Sequence, residues 1–219
     1  MMGSAARLVG PLLPIALAAG VVACSAAAPD QSAAQATEQG KAQARGPRAV
    51  LVVASGCFWC TESDFDKVPG VLVTVSGYTG GKLRNPTYEQ VSAGNTGHIE
   101  AVRIVYNPQR VSYERLITHL LRTSDPVDAG GQFCDRGYQY RSAIFVADAR
   151  ERQVARNVIA RLTPLKKVPG PIATLVLPRA PFYAAEGYHQ DYYKKNPIRY
   201  RYYRSSCGRD ARVKKAWGG

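Results

Sequence analysis

Two cysteines stand three residues apart in "ASGCFWCTE", residues 54–62, with a phenylalanine and a tryptophan between them. The thiolate is the reactive form of cysteine, and an ordinary thiol with a pKa of about 8.5 is roughly a tenth ionised at mildly alkaline pH. Cys57 follows a Ser-Gly turn and opens a helix, where unpaired amides and the helix dipole favour an anion. The position therefore predicts a depressed thiol pKa and a nucleophile. Phe58 and Trp59 lay aromatic surface beside that sulfur, which suits a small apolar group such as a methyl on sulfur.

Three chemistries compete for a CxxC pair. A zinc site needs a second ligand pair at compatible spacing, but Cys134, Cys207, His98, His119 and His189 are all singletons, so no metal is expected. Haem attachment needs His after the second Cys, and position 61 is Thr. A thioredoxin-like thiol-disulfide exchange site is the serious rival, because strand, turn and CxxC at a helix start fit it well.

The elements that must position these residues can be read from apolar periodicity. "RAVLVVA" reads as a buried strand that gives way to the Ser55-Gly56 turn, and "CFWCTESDFDKV" as a helix with Glu62, Asp64 and Asp66 in its early turns. "GVLVTVSGYTGG" and "HIEAVRIVY" are further strands, separated by a loop with one helical turn in "NPTYEQVSAGNTG". Ser112 opens a helix with a Leu116, Ile117, Leu120, Leu121 stripe. "RSAIFVA" is apolar throughout and so central. Asp148 and Glu151 form a capping pair before a helix carrying Val154, Val158, Ile159 and Leu162 on one side. "IATLVL" is a strand stopped by Pro178. The order predicts an α+β chain: an α/β two-layer sandwich, a mixed sheet with a ferredoxin-like split β-α-β core, and a long irregular C-terminal tail with one short helix around residues 188–195.

Six blocks in order extend the reading: "GCFWC" with Glu62, "NPTYEQV", "GHIEAVRIVYNP", "DRGYQYRSAIF", "PFYAAEGYHQDY" and "SCGRD". Together they resemble the peptide methionine sulfoxide reductase A family, from about Val50 to Arg209. The resemblance implies reduction of the S epimer of methionine sulfoxide, free or in peptides and proteins. It makes Cys57 the nucleophile, Phe58 and Trp59 the grip on the substrate's methyl group, with Gly56 and His189 beside them. Glu100 becomes the proton donor, with the Tyr88 and Tyr140 hydroxyls holding the oxygen and Asp135 nearby. Residue chemistry agrees about Glu100. It shares a strand face with Val102 and Ile104, so burial should raise its pKa and keep it protonated as a general acid.

Attack leaves Cys57 as a sulfenic acid, which a second thiol must condense with before an external reductant can open the disulfide. The family implies no cofactor and a thioredoxin-like donor. Cys60 stands where the family commonly has glycine, one helical turn from Cys57, and Cys207 in the polar "SSCGRD" is expected to be mobile enough to reach it. Both are expected to recycle Cys57, in an order left open. Cys134 reads as a bystander.

Of 219 residues, 46% are hydrophobic and 21% charged, enough for a sizeable core in one domain. Residues 1–23 have the charge and apolar layout of a secretory signal, closing on "VVAC", which resembles a lipobox and implies cleavage before Cys24 and lipidation of its thiol. Residues 24–48 read as a disordered Ala- and Gln-rich tether, and residues 49–219 as the reductase domain. The expected place is outside the cytoplasm of a bacterium, anchored by lipid and facing the periplasm or the cell exterior, as a monomer. The net charge of +13 is concentrated in a basic, tyrosine-rich tail over residues 194–219. That composition would suit nucleic acid in a cytosolic protein, but export removes this partner, leaving a solvated basic tail.

Overall fold

The computed structural model describes residues 46–218. The expected signal segment, Cys24 and the expected tether up to residue 45 lie outside the described residues. The chain runs β1 (Ala49–Ala54), α1 (Phe58–Phe65), β2 (Val71–Thr79), α2 (Tyr88–Ser92), β3 (Ile99–Tyr106) and α3 (Tyr113–Arg122). It continues with β4 (Gly131–Gln132), β5 (Asp135–Arg136), β6 (Ala143–Val146), α4 (Ala149–Leu162), β7 (Leu175–Pro178) and β8 (Phe182–Ala184), and closes with α5 (Tyr192–Lys195), α6 (Pro197–Ser206) and α7 (Arg209–Trp217).

Six strands form one mixed sheet in the order β7-β6-β1-β3-β2-β8. Its centre, β6-β1-β3-β2, is wholly antiparallel, and α1 and α3 lie on the crossovers, which is the ferredoxin-like arrangement. β7 adds in parallel beside β6 and β8 antiparallel beside β2. Strand alternation decides the faces. Leu51 and Val53 join the main core with Val102, Ile104 and the helices, whereas Val52 and Ala54 pack with Ile99, Ala101 and Phe145 on the opposite face.

Local signals place the helices. Ser112 accepts from the Arg115 N–H at 3.1 Å to start α3, whose Leu116, Ile117, Leu120 and Leu121 are all 0% exposed. Asp148 accepts from the Glu151 N–H at 2.8 Å to start α4. α1 starts at Phe58 with Cys57 as its N-cap, so its first turn holds no carboxylate and Glu62 falls in the second. Asp64 and Asp66 instead sit at the unfavourable negative end of that helix, where cations from the C-terminal segment meet them.

That segment corrects the expectation of an irregular, solvated tail. It folds into β8, α5, α6 and α7, and Ala216 and Trp217 join the main core. Four of its cations are paired: Arg204 Nη1 with Asp64 at 2.9 Å, Arg209 Nη2 with Asp64 at 3.5 Å, Arg212 Nε with Asp125 at 2.6 Å and Lys194 Nζ with Asp66 at 2.9 Å. A buried charge is tolerated when it finds such partners, and residues this far apart in sequence give no local sign of them.

Candidate active site

The site begins where β1 ends. Gly56 turns the chain at φ +72°, and a Cβ there would stand 2.6 Å from the Gln132 Cβ, so only glycine fits. Ser55 is fixed from two sides, by the Ser124 hydroxyl at 2.7 Å and by the buried Arg209, whose Nη1 donates to its carbonyl at 3.0 Å. Cys57 is thereby delivered as the N-cap of α1, its carbonyl accepting from the Cys60 and Thr61 N–H groups at 3.2 Å.

β3 brings Glu100 from the neighbouring strand. The carboxyl is 2% exposed, and its Oε2 accepts from the Phe58 N–H at 3.0 Å. Around it lies a pocket of about 60 Å³ lined by Cys57, Phe58, Trp59, Tyr88, Glu100, Asp135, Tyr140 and Tyr203. Tyr88 is set by the capped start of α2, where Thr87 and Gln90 form a capping box and the Tyr88 N–H donates to Glu186 at 2.8 Å. Tyr140 ends the 3-10 turn Tyr138–Tyr140, and Asp135 opens β5 of the short hairpin. Among the described residues no cluster of three or more His, Cys, Asp or Glu side chains could hold a metal.

Burial governs the electrostatics. It pushes Glu100 up to about 8, with Asp135 adding to the rise and the Phe58 N–H opposing it, so the group is a neutral acid at neutral pH. Tyr88 is pushed up to about 12 by burial and the nearby Glu100, and hydrogen-bonds with Tyr140. The expectation for Cys57 is overturned. Burial, together with Cys60, Glu100 and Asp135, holds its thiol well above the ordinary range, and these outweigh the helix terminus. Cys60 is lowered to about 7, first by its hydrogen bond with Cys57 and then by the Arg209 and Arg204 guanidiniums. Of the two thiols sharing that bond, the one facing cations gives up its proton more easily than the one facing carboxyls.

The family described as peptide methionine sulfoxide reductase matches residues 49–219. A Rhizobium meliloti protein named peptide methionine sulfoxide reductase MsrA 2 is 52% identical over 167 residues, covering 76% of this chain and 82% of that protein. Its namesake from Caulobacter vibrioides is 50% identical over 169 residues, covering 77% and 85%. This chain belongs to the peptide methionine sulfoxide reductase family. Among solved structures, methionine sulfoxide reductase A of Corynebacterium diphtheriae superposes with a TM-score of 0.64 at 36% identity, covering 69% of this chain and 76% of that one.

Within this reductase fold, seven of the residues named from sequence line one pocket, and four others do not. Gly56 shapes the turn without lining the pocket. His189 lies behind it: 2% exposed, it accepts at Nδ1 from Trp59 Nε1 at 3.0 Å, and burial lowers its pKa. Cys60 is buried beneath Cys57, one turn into the helix. Cys207 is neither free nor on a loose tail. It ends α6 and forms a disulfide with Cys134, Cα atoms 5.0 Å apart, so neither of these two cysteines is the isolated thiol the sequence suggested. Among the described residues, Cys57 and Cys60 are the free cysteines.

Sequence reasoning missed Tyr203. It lines the pocket beside Cys57, donates its hydroxyl to Asp135 and packs edge-on against Trp59, ring centres 5.7 Å apart at 78°. Tyr192 stacks flat on the same indole at 3.7 Å. Tyr192 lies just before the basic stretch and Tyr203 within it, where nothing local separated Tyr203 from the exposed Tyr202 beside it. His98 and His119 are structural: His98 bridges the Gly81 N–H and the Leu83 carbonyl, and His119 meets the Asp64 carbonyl at 3.0 Å.

Proposed function

We propose that this chain reduces the S epimer of methionine sulfoxide, free or in peptides and proteins, to methionine. One observation carries the reading: a buried, protonated carboxylic acid, Glu100, shares a 60 Å³ pocket with the Cys57 sulfur under an aromatic wall. The pocket admits a methyl on sulfur, which Phe58 and Trp59 flank. Tyr88 and Tyr140 offer hydroxyls to the sulfoxide oxygen, and Glu100 gives that oxygen its proton as the S=O bond weakens.

Cys57 attacks the substrate sulfur and gives up its thiol proton as it does so, and that proton replaces the one Glu100 donates to the oxygen. The sulfur gains two electrons and leaves as methionine, while Cys57 is oxidised by two electrons and keeps the oxygen as a sulfenic acid. The Cys60 thiol then condenses with it, releasing water and forming a Cys57–Cys60 disulfide. A thioredoxin-like dithiol reduces this disulfide and becomes a disulfide itself, so no prosthetic group is needed. Cys60 takes this role because it is the other free thiol beside Cys57. Asp135 and Tyr203 brace Cys57 from above, and His189 holds the indole of Trp59.

Against the rival reading of a general thiol-disulfide oxidoreductase stands the buried acid Glu100 in a closed aromatic pocket beside Cys57, equipment that exchange between thiols and disulfides does not use. The leader and "VVAC" support export and attachment through a lipidated Cys24, which would place repair at proteins outside the cytoplasm. The test supplies each methionine sulfoxide epimer with a dithiol and measures methionine. The S epimer alone should be consumed, and Cys57→Ser should form none. Methionine from Cys57→Ser, or turnover of insulin-like disulfides with indifference to sulfoxide, would sink the assignment.

A further inference from the structure

Two links join the same two elements across the top of Cys57. One is the hydrogen bond from the Tyr203 hydroxyl, on α6, to the Asp135 carboxylate, on the β4–β5 hairpin. The other is the Cys134–Cys207 disulfide, which closes a sequence separation of 73 residues. They are adjacent at both ends. Cys134 directly precedes Asp135, and the Cys207 N–H donates to the Tyr203 carbonyl at 3.0 Å, one helical turn on. Between them Phe133, in the left-handed region at φ +56°, carries the Arg209 guanidinium over its ring at 4.6 Å.

We propose that the Cys134–Cys207 disulfide is a positioning clamp for the substrate pocket, holding Asp135 and Tyr203 against Cys57, and that Cys207 does not carry electrons to or from Cys57. The geometry supports this in three ways. The bond ties the turn of a two-strand hairpin of two residues per strand to α6, a link that the Gln132–Asp125 hydrogen bonds at the hairpin's base do not make. Both groups it positions line the pocket, so slack in the hairpin widens the space that grips the methyl and uncovers the Cys57 sulfur. The remaining C-terminal segment does not depend on it, because Arg204, Arg209, Arg212 and Trp217 are anchored on Asp64, Ser55, Asp125 and Ser124. Loss of the clamp therefore loosens one wall while the chain stays folded. The clamp rests on the reductase reading for its effect on catalysis, but not for its effect on access to Cys57.

The experiment compares Cys134→Ser, Cys207→Ser and the double variant with the unaltered protein in two measurements. In a single-turnover assay with excess S epimer and no dithiol, each variant should release one methionine per enzyme. The half-saturating sulfoxide concentration should be about ten-fold higher, equivalent to about 1.4 kcal/mol, with a limiting rate that changes far less. The double variant should match either single one, since all three remove the same bond. Tyr203→Phe keeps the disulfide and should raise the same concentration, with little added by Cys207→Ser. In the second measurement, alkylation by iodoacetamide, mapped to Cys57 by mass spectrometry, should be several-fold faster in all three serine variants.

Unchanged half-saturation and unchanged alkylation would overturn the clamp. So would a Cys207→Ser protein that keeps the normal first turnover and fails only in recycling, which would make Cys207 a relay thiol. An unaltered protein that releases no methionine, with variants that still alkylate faster at Cys57, would retain the clamp and reject the reductase reading instead.

Discussion

The front of the chain, β1 to α4, and its C-terminal segment, β8 to α7, contribute to one pocket by opposite means. The front supplies the reacting groups, Cys57 and Glu100, on regular elements whose periodicity is plain. The C-terminal segment supplies the wall that holds them, through Tyr192, Tyr203 and His189, and is itself held by ion pairs to Asp64, Asp66 and Asp125. The difference teaches that a run of charge and tyrosine can be a packed element whose partners lie elsewhere. Arg209 makes the point most sharply: it is 2% exposed and donates to the Ser55 and Thr123 carbonyls on the front half.

The comparison can be broken at its strongest point first. Glu100→Gln removes the proton donor but keeps the shape, and should lower the rate of methionine release by about 10²- to 10⁴-fold in single turnover. A loss under ten-fold would move the acid role elsewhere. Arg209→Met attacks the other half: with Asp64 left short of a partner and two carbonyls uncapped, unfolding free energy should fall by about 3 kcal/mol in urea titration. Retained stability would return this residue to the solvated tail that the sequence suggested.

Cys60→Ser should give one normal methionine release per enzyme and then stall, because the sulfenic acid lacks its partner. A burst followed by a normal steady rate would assign recycling elsewhere. The pH dependence follows from Glu100. Its folded pKa is raised from the ordinary 4.5 to about 8, so the stability contributed by the protonated form is complete below the ordinary value and lost as pH rises through about 8. Activity should fall over the same alkaline interval, and Glu100→Gln should lose that limb of the profile. The smallest effect belongs to Tyr202, which is 76% exposed: Tyr202→Ala should shift stability by less than about 0.5 kcal/mol and leave catalysis intact, in contrast to Tyr203→Phe.

Much of the fold was legible because its signals are local. The alternation of β1, the Ser112 and Asp148 caps and the stripe of α3 involve residues no more than a few positions apart. The antiparallel centre of the sheet follows from the order of those elements. The β4–β5 hairpin was not legible, since two-residue strands have no periodicity to read. Seven pocket residues were named through the family blocks, whereas Tyr203 required the fold, being one of several tyrosines in a basic run. Cys207 was misread as a mobile thiol because its flanking serines and glycine resemble a loop, while its helix and its bond to Cys134 depend on a hairpin that precedes it by 73 residues.

By itself the sequence determined which groups carry the chemistry: a cysteine after a Ser-Gly turn, aromatics beside it, a carboxyl on an apolar strand. Spacing within a strand or a helical turn suffices for that, because neighbours along the chain are neighbours in space. Only the tertiary structure decided how those groups ionise and what surrounds them. It set the Cys57 thiol high, despite its place at a helix start, by burying it against Glu100 and Asp135. It turned the basic tail into a wall of the pocket and paired Cys134 with Cys207. Desolvation and charge pairing act through space between residues far apart in the chain, and the folded core alone fixes those distances.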